Sequence, residues 1–523
     1  MDARAAMAAL ALAAAILAAG PAPEQESARD CQGHLVLALA DLKRREDAGT
    51  GEADLKQLRY LSFLAVPREK LEGFRLVLRW WLLQMSFEAR PGFPEEVPGS
   101  QGALWAIDLR DYGWSAAAWR AVALREPYFR LAGDAMKAED AAALMAKLGI
   151  DQDAATLHVE GIARADWLFR ETIESERSQS YYDLLYSRQR FPARVLRRLP
   201  PRARRNFPAN VGEWEEAYGI KDARDFFRRQ KIDPRNGAVV AGHRDDPVRG
   251  SIVTRNNRFL EVIPLAIRAG AVATVTYDVD ETAGEKDYIE QVPKALELGK
   301  VKLKFDAQEL LATLPNGGQA GFLADAKGSR LEIADNKFAR DPNDPHDSRV
   351  RTMGSCVVCH STRSGFIEPD DMVKGNAAAG VFLKIKDRAE RNRIEAYFLG
   401  WEDDIASYQR PYAGLVKLAT GWEPSKLSKE FAAFRLWYDA PVTQEQAARE
   451  TGLDRPAFRK VAKLSPKARL AQLAAGLSVP RRTWEIDSHK DFRDTQLIAK
   501  EGNHANRYPS RARPVRPVRR PAP

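Results

Sequence analysis

Two cysteines and a histidine stand together at Cys356-Val357-Val358-Cys359-His360. On a helix this spacing sets two thiols one turn apart, with an imidazole directly after the second. It is the spacing of covalent haem c attachment. Both sulfurs must reach the two vinyl groups on one edge of the porphyrin, while the next residue turns a ring nitrogen to the iron from the same face. With three Cys and seven His among 523 residues, random placement yields such a pentapeptide in about two of ten thousand chains, so coincidence is a poor account. The expectation is one covalent haem c on Cys356 and Cys359, with His360 as an axial iron ligand.

Two other chemistries use the same residue types. A redox Cys-X-X-Cys pair is expected near a βαβ pattern, and a structural zinc site takes four Cys or His ligands. Here Cys31 is the one other cysteine, and His346 is the one other histidine within 80 residues. The opposite iron face stays open at this level. Met372 follows His360 by twelve residues and is one candidate sixth ligand. His346, His243, His489 and His504 are others, and a different or absent ligand is the third alternative. A Met ligand raises the potential relative to His, and an empty position opens the iron to small molecules.

The ends of the chain bear on where this chemistry takes place. Residues 5–20 are small and apolar, follow Asp2 and Arg4, and end in Gly-Pro-Ala-Pro-Glu. This reads as a signal peptide over residues 1–22. A periplasmic or secreted location follows, as thioether attachment requires, with no integral membrane span after cleavage. Net charge is +9, but the last 23 residues carry +5 of it, leaving +4 for the remainder. A second basic run at residues 188–205 holds eight Arg and no acid, and reads as a solvated linker. Mean hydropathy of −0.43 excludes a polytopic membrane protein.

The elements that must position the motif read as α+β and mainly α. Apolar residues at helical spacing, such as Leu55, Leu58, Leu61 and Leu64 and then Leu71, Phe74, Leu78 and Trp81, predict a helical N-terminal domain over residues 23–205. Its tryptophans (Trp80, Trp81, Trp105, Trp114, Trp119 and Trp167) read as core rather than cofactor contacts. Residues 206–340 read as a mixed unit with antiparallel strands. Strands are expected over residues 238–241, 258–263, 271–278, 301–305, 308–313 and 321–325, with turns at Leu314-Pro315-Asn316-Gly317-Gly318 and Lys327-Gly328. Residues 341–425 are expected to hold the haem, residues 426–500 to be helical, and residues 501–523 to be a disordered Pro/Arg tail. Residues 443–460 look like a helix-turn-helix around Gly452. Export argues against nucleic acid as a partner, and two packed helices suffice to explain the pattern.

The chain resembles a poorly characterised family of exported, single-haem c-type cytochrome-like proteins frequent in planctomycetes and some proteobacteria. The residues that carry the resemblance include Ile107-Asp-Leu-Arg-Asp-Tyr-Gly-Trp114, Leu314-Pro-Asn-Gly-Gly-Gln319 and Gly354-Ser-Cys-Val-Val-Cys-His360. The most specific feature is the Leu-Pro-Asn-Gly turn followed some forty residues later by Cys-X-X-Cys-His. The family places Leu-Gln after Asn-Gly and Met between the cysteines, where this chain has Gly318-Gln319 and Val357-Val358. The resemblance implies a haem domain embedded in a larger α+β body, with no settled substrate. The resulting expectation is an electron-transfer protein that docks a redox partner at the haem edge. An open-site haem enzyme and a haem-containing sensor are the alternatives.

Overall fold

The computed structural model describes residues 31–125, 138–150, 160–173, 180–187, 208–220, 236–240, 258–279, 305–334, 341, 348–360, 388–389, 392, 402–488 and 491–492. Within them the fold is mixed, about 53% helix and 17% strand, with two small sheets. Residues 1–22, read as a signal peptide, residues 188–205, read as a linker, and the tail at 501–523, read as disordered, lie outside the described residues.

In the N-terminal region helices α1 (Cys31–Asp47), α2 (Leu71–Gln84), α3 (Ala116–Ala123), α4 (Ala138–Lys147), α5 (Ala165–Ile173) and α6 (Ser180–Leu185) surround a sheet that the sequence reading did not anticipate. Its order is β2-β3-β1-β4, from β1 (Leu58–Ser62), β2 (Glu95–Glu96), β3 (Leu104–Asp108) and β4 (Ile162–Arg164). Strand β1 pairs antiparallel with β3, Tyr60 opposite Ala106, and parallel with β4, Tyr60 opposite Ile162. Leu58 and Leu61, expected on a helix, therefore lie in a central strand. All five β1 residues are buried. A strand covered on both faces loses its alternation, so an apolar run no longer separates strand from helix. Even Arg59 is enclosed, its Nη1 donating to the Leu58 carbonyl at 2.6 Å and the Lys56 carbonyl at 3.0 Å.

Helix α2 forms where expected, with Phe74, Leu78 and Trp81 fully buried. The six tryptophans are core residues, each at most 4% exposed. Three of their indoles are satisfied inside the protein. Trp81 Nε1 donates to Thr172 Oγ1 at 2.7 Å, Trp114 to the Met85 carbonyl at 3.1 Å, and Trp119 to the Glu160 carbonyl at 2.9 Å.

After α7 (Val211–Tyr218), six strands form an antiparallel meander in the order β10-β9-β8-β7-β6-β5. They are β5 (Asn236–Val240), β6 (Arg258–Pro264), β7 (Val272–Val279), β8 (Phe305–Thr313), β9 (Gln319–Asp325) and β10 (Arg330–Leu331). Where two strands were expected across residues 301–313, one strand, β8, runs from Phe305; its pairing with β7 shifts register between Asp278 and Val279, and Ala307 lies opposite Asp278 and Asp325. The β8–β9 turn is locked onto α2. Asn316 Nδ2 donates to the carbonyls of Leu83 at 2.8 Å and Ser86 at 3.1 Å, while its Oδ1 accepts from Gly318 N at 2.8 Å. Gly317 has φ of 95°, and a Cβ there would meet the Pro411 carbonyl oxygen at 2.6 Å, so both conformation and space require glycine.

The C-terminal region comprises α8 (Gly354–His360), α9 (Glu402–Thr420), α10 (Pro424–Asp439), α11 (Gln444–Glu450), α12 (Arg455–Leu464) and α13 (Ala468–Ala474). The helix-turn-helix-like segment is the pair α11 and α12, started by the side chains of Thr443 and Asp454 as N-caps and separated by Gly452 with φ of 67°. One apolar cluster joins α2, α5, α6, the face of β7–β9 that bears Phe322, and α9 to α13. A buried ionic group ties the last helices to the first sheet. Glu450 accepts from Arg481 Nη1 at 2.6 Å, Trp484 Nε1 at 2.7 Å and Gln446 Nε2 at 2.9 Å, with Arg164 Nη1 at 3.6 Å. Burial alone would push this carboxyl up, but Arg481 and Arg164 outweigh it and hold the group at about 2.

Candidate functional site

The motif forms the helix α8, as its spacing requires. Positions 356, 359 and 360 fall within an arc of roughly 100° on an α-helix, so one face carries both thiol positions and the histidine position. Val357 and Val358 occupy the remaining circumference and are buried at 2% and 4% exposure in the main apolar cluster. Their role is anchorage.

Several contacts fix the helix at both ends. Met353, just before it, has φ of 61°, a left-handed conformation unfavourable for a side chain-bearing residue. That turn lays the Met353 sulfur over Gly321 of β9, where a Cβ would stand 2.6 Å from Sδ. Gly354 abuts α5: a Cβ there would lie 2.7 Å from the Ile173 carbonyl oxygen. Arg351 N donates to Ser355 Oγ at 3.0 Å. From α10, Ser428 Oγ donates to the Val358 carbonyl at 2.8 Å and Arg435 Nη1 to the Gly354 carbonyl at 3.3 Å. Arg435 also pairs with Asp341 at 2.7 Å, both buried, so the start of the 341–348 segment is held beside the motif.

Cys356 is buried at 3% exposure, and its Sγ donates to Glu309 Oε1 of β8 at 3.3 Å. Residues directly opposite across an antiparallel ladder share a face. Thr276 is opposite Glu309 and Thr274 opposite Leu311, while Glu309 is opposite Leu323 and Leu311 opposite Gly321. The polar row Thr274, Thr276 and Asp278 is thus on the sheet face that receives Cys356 and Met353. All three are buried, at 8%, 6% and 5% exposure. The sequence reading expected a strand over residues 271–278 but not that this face is covered, and it missed Glu309. The only available signal was an acidic residue inside an apolar strand. Near this face, burial pushes the phenols of Tyr181 and Tyr182 far above their ordinary range, so both stay protonated.

The backbone of α8 has the form that the attachment pattern would need. Thioether formation needs a helix that presents positions 356, 359 and 360 on one side, and the backbone of α8 provides it. Cys359 and His360 are described as helix backbone only, while Met372, His346, His243, His489 and His504 lie outside the described residues. Among the described residues, no group of three or more His, Cys, Asp or Glu is placed to hold a metal ion, and no helix is long and apolar enough to cross a membrane. Compared with protein-family models, with curated proteins and with solved structures, the chain matches none of them.

Proposed function

We propose that this chain is an exported c-type haem protein whose function is one-electron transfer to a redox partner protein. The observation that carries the reading is the Cys356-Val-Val-Cys359-His360 sequence on one helical turn, with its first cysteine and its two valines buried. Bound haem c supplies an Fe(III)/Fe(II) couple. In this reading Cys356 and Cys359 would hold the group covalently, and His360 and Met372 would be candidate ligands of its iron. The anchors on α5, α10 and β9 fix the helix, which limits reorganisation when the oxidation state changes. Glu309, against the first sulfur, places an anionic or hydrogen-bonding oxygen at the attachment edge.

The test is spectroscopic and uses the chain exported by a host competent in cytochrome c maturation. Electron transfer predicts a six-coordinate, low-spin centre that small donors reduce rapidly and that carbon monoxide leaves unchanged. A high-spin centre that binds carbon monoxide or cyanide and turns over peroxide well above free haem would replace this reading with an open-site enzyme.

A further inference from the structure

The C-terminal helices carry a charge imbalance that the haem reading does not use. Between Arg455 and Trp484 the chain holds eight Lys or Arg and no Asp or Glu. Arg481 is buried and committed to Glu450. Arg455, Arg459, Lys460 and Lys463 on α12, and Lys467, Arg469 and Arg482 after it, are exposed.

On α12 the cations are sorted by face. Phe458 and Ala462 are fully buried on the core side. Arg455, Arg459 and Lys463 recur at i, i+4 and i+8, forming one row on the outer side with Lys460 beside it. Like charges at this spacing weaken a helix. Among the described residues, Arg459, Lys460 and Lys463 have no acidic partner to offset that repulsion, whereas Lys467 approaches Asp491 at 3.8 Å. Two leucines project at the ends of the same helices: Leu464 closes α12 at 60% exposure, and Leu477 follows α13 at 59%. Cations that track headgroup phosphates beside apolar side chains that enter the acyl boundary are the chemistry of an interfacial surface.

Position distinguishes this occupant from a redox partner. An electron-transfer partner must sit at the haem edge, and α8 packs on α10, whereas α12 packs on α11 and α13. The tail at residues 501–523 adds a net +5 shortly after these helices. We propose that α12, with the connection through α13 to Leu477, docks this protein on an anionic lipid membrane. The proposal goes beyond the haem reading, on which only the exclusion of a redox partner from this face rests.

Flotation of the full chain with vesicles tests it, comparing phosphatidylglycerol with phosphatidylcholine across a salt series. The chain should float with phosphatidylglycerol only, and release as salt rises. Each neutralised cation should lower the partition about fivefold. Together, Arg459→Gln, Lys460→Gln and Lys463→Gln should therefore lower it by about two orders of magnitude with an unchanged circular dichroism spectrum. Leu464→Ser with Leu477→Ser should weaken binding while preserving its salt dependence. Equal partition of the triple variant would assign binding to the tail and overturn the proposal, as would absence of any lipid preference. Removal of the chain from vesicles by polyglutamate at equal charge concentration would assign the face to an acidic protein instead.

Discussion

Glu450→Gln perturbs the contact that holds the last helices to the first sheet, and its consequence follows from the carboxyl's surroundings. The group has an ordinary value of 4.5 and is held at about 2 by Arg481 and Arg164 against the opposing effect of burial. A downward shift of this size corresponds to about 3 kcal/mol of folding stability. Because the folded value is depressed, that stability is fully present above about 4.5 and is lost as pH falls towards about 2. Glutamine keeps a single acceptor oxygen where Arg481 and Trp484 use one carboxylate oxygen each, so one of these donors faces an amide N–H, and the buried guanidinium of Arg481 loses the Glu450 counter-charge. Urea denaturation followed by circular dichroism from pH 7 to pH 3 should show the variant less stable by about 3 kcal/mol at neutral pH, with the gap narrowing below pH 4.5. A gap that is absent at pH 7, or that stays constant down to pH 3, would refute the reasoning, since a charge-dependent contact must titrate.

Two further substitutions test how the motif is positioned. Asn316→Ala removes both donors to the C-terminal end of α2 and the acceptor for Gly318 N, leaving buried backbone groups unpaired. It should cost about 2–3 kcal/mol in denaturant unfolding, and an unchanged midpoint would show the turn not to be locked by this side chain. Gly354→Ala drives a Cβ to 2.7 Å from the Ile173 carbonyl oxygen, so α8 must move. A loss of about 1–3 kcal/mol is expected, accompanied by a lower yield of haem-loaded protein at equal export. Full stability would mean that the contact with α5 is loose.

The meander was readable where strands alternate or are bounded by turn residues. Strands β6, β7 and β9 form close to their expected limits, and the Leu314-Pro-Asn-Gly turn forms as read. Strand β1 was not, because burial of every residue erases the period that separates strand from helix. The motif helix was legible from five consecutive residues. Its surroundings were not: Glu309, Ser428 and Arg435 reach it from 47, 70 and 81 residues away, and no local pattern signals such contacts. Glu450 was hidden differently, inside a segment whose two capped helices mimic a DNA-reading motif. Its real setting depends on Arg164 and Arg481, 286 and 31 residues distant. The basic face of α12 was present in the sequence all along, but only the burial of Phe458 and Ala462 separates its outer side from its core side.

The most direct measurement for the central claim is the absorption spectrum and denatured mass of the exported chain before and after acid-acetone extraction, beside Cys356→Ser with Cys359→Ser. Covalent attachment predicts a sharp reduced α-band and a mass increment of one haem that both survive extraction, and both vanish in the double variant. A colourless chain, or haem that extracts completely, would contradict it and leave α8 as a dithiol helix.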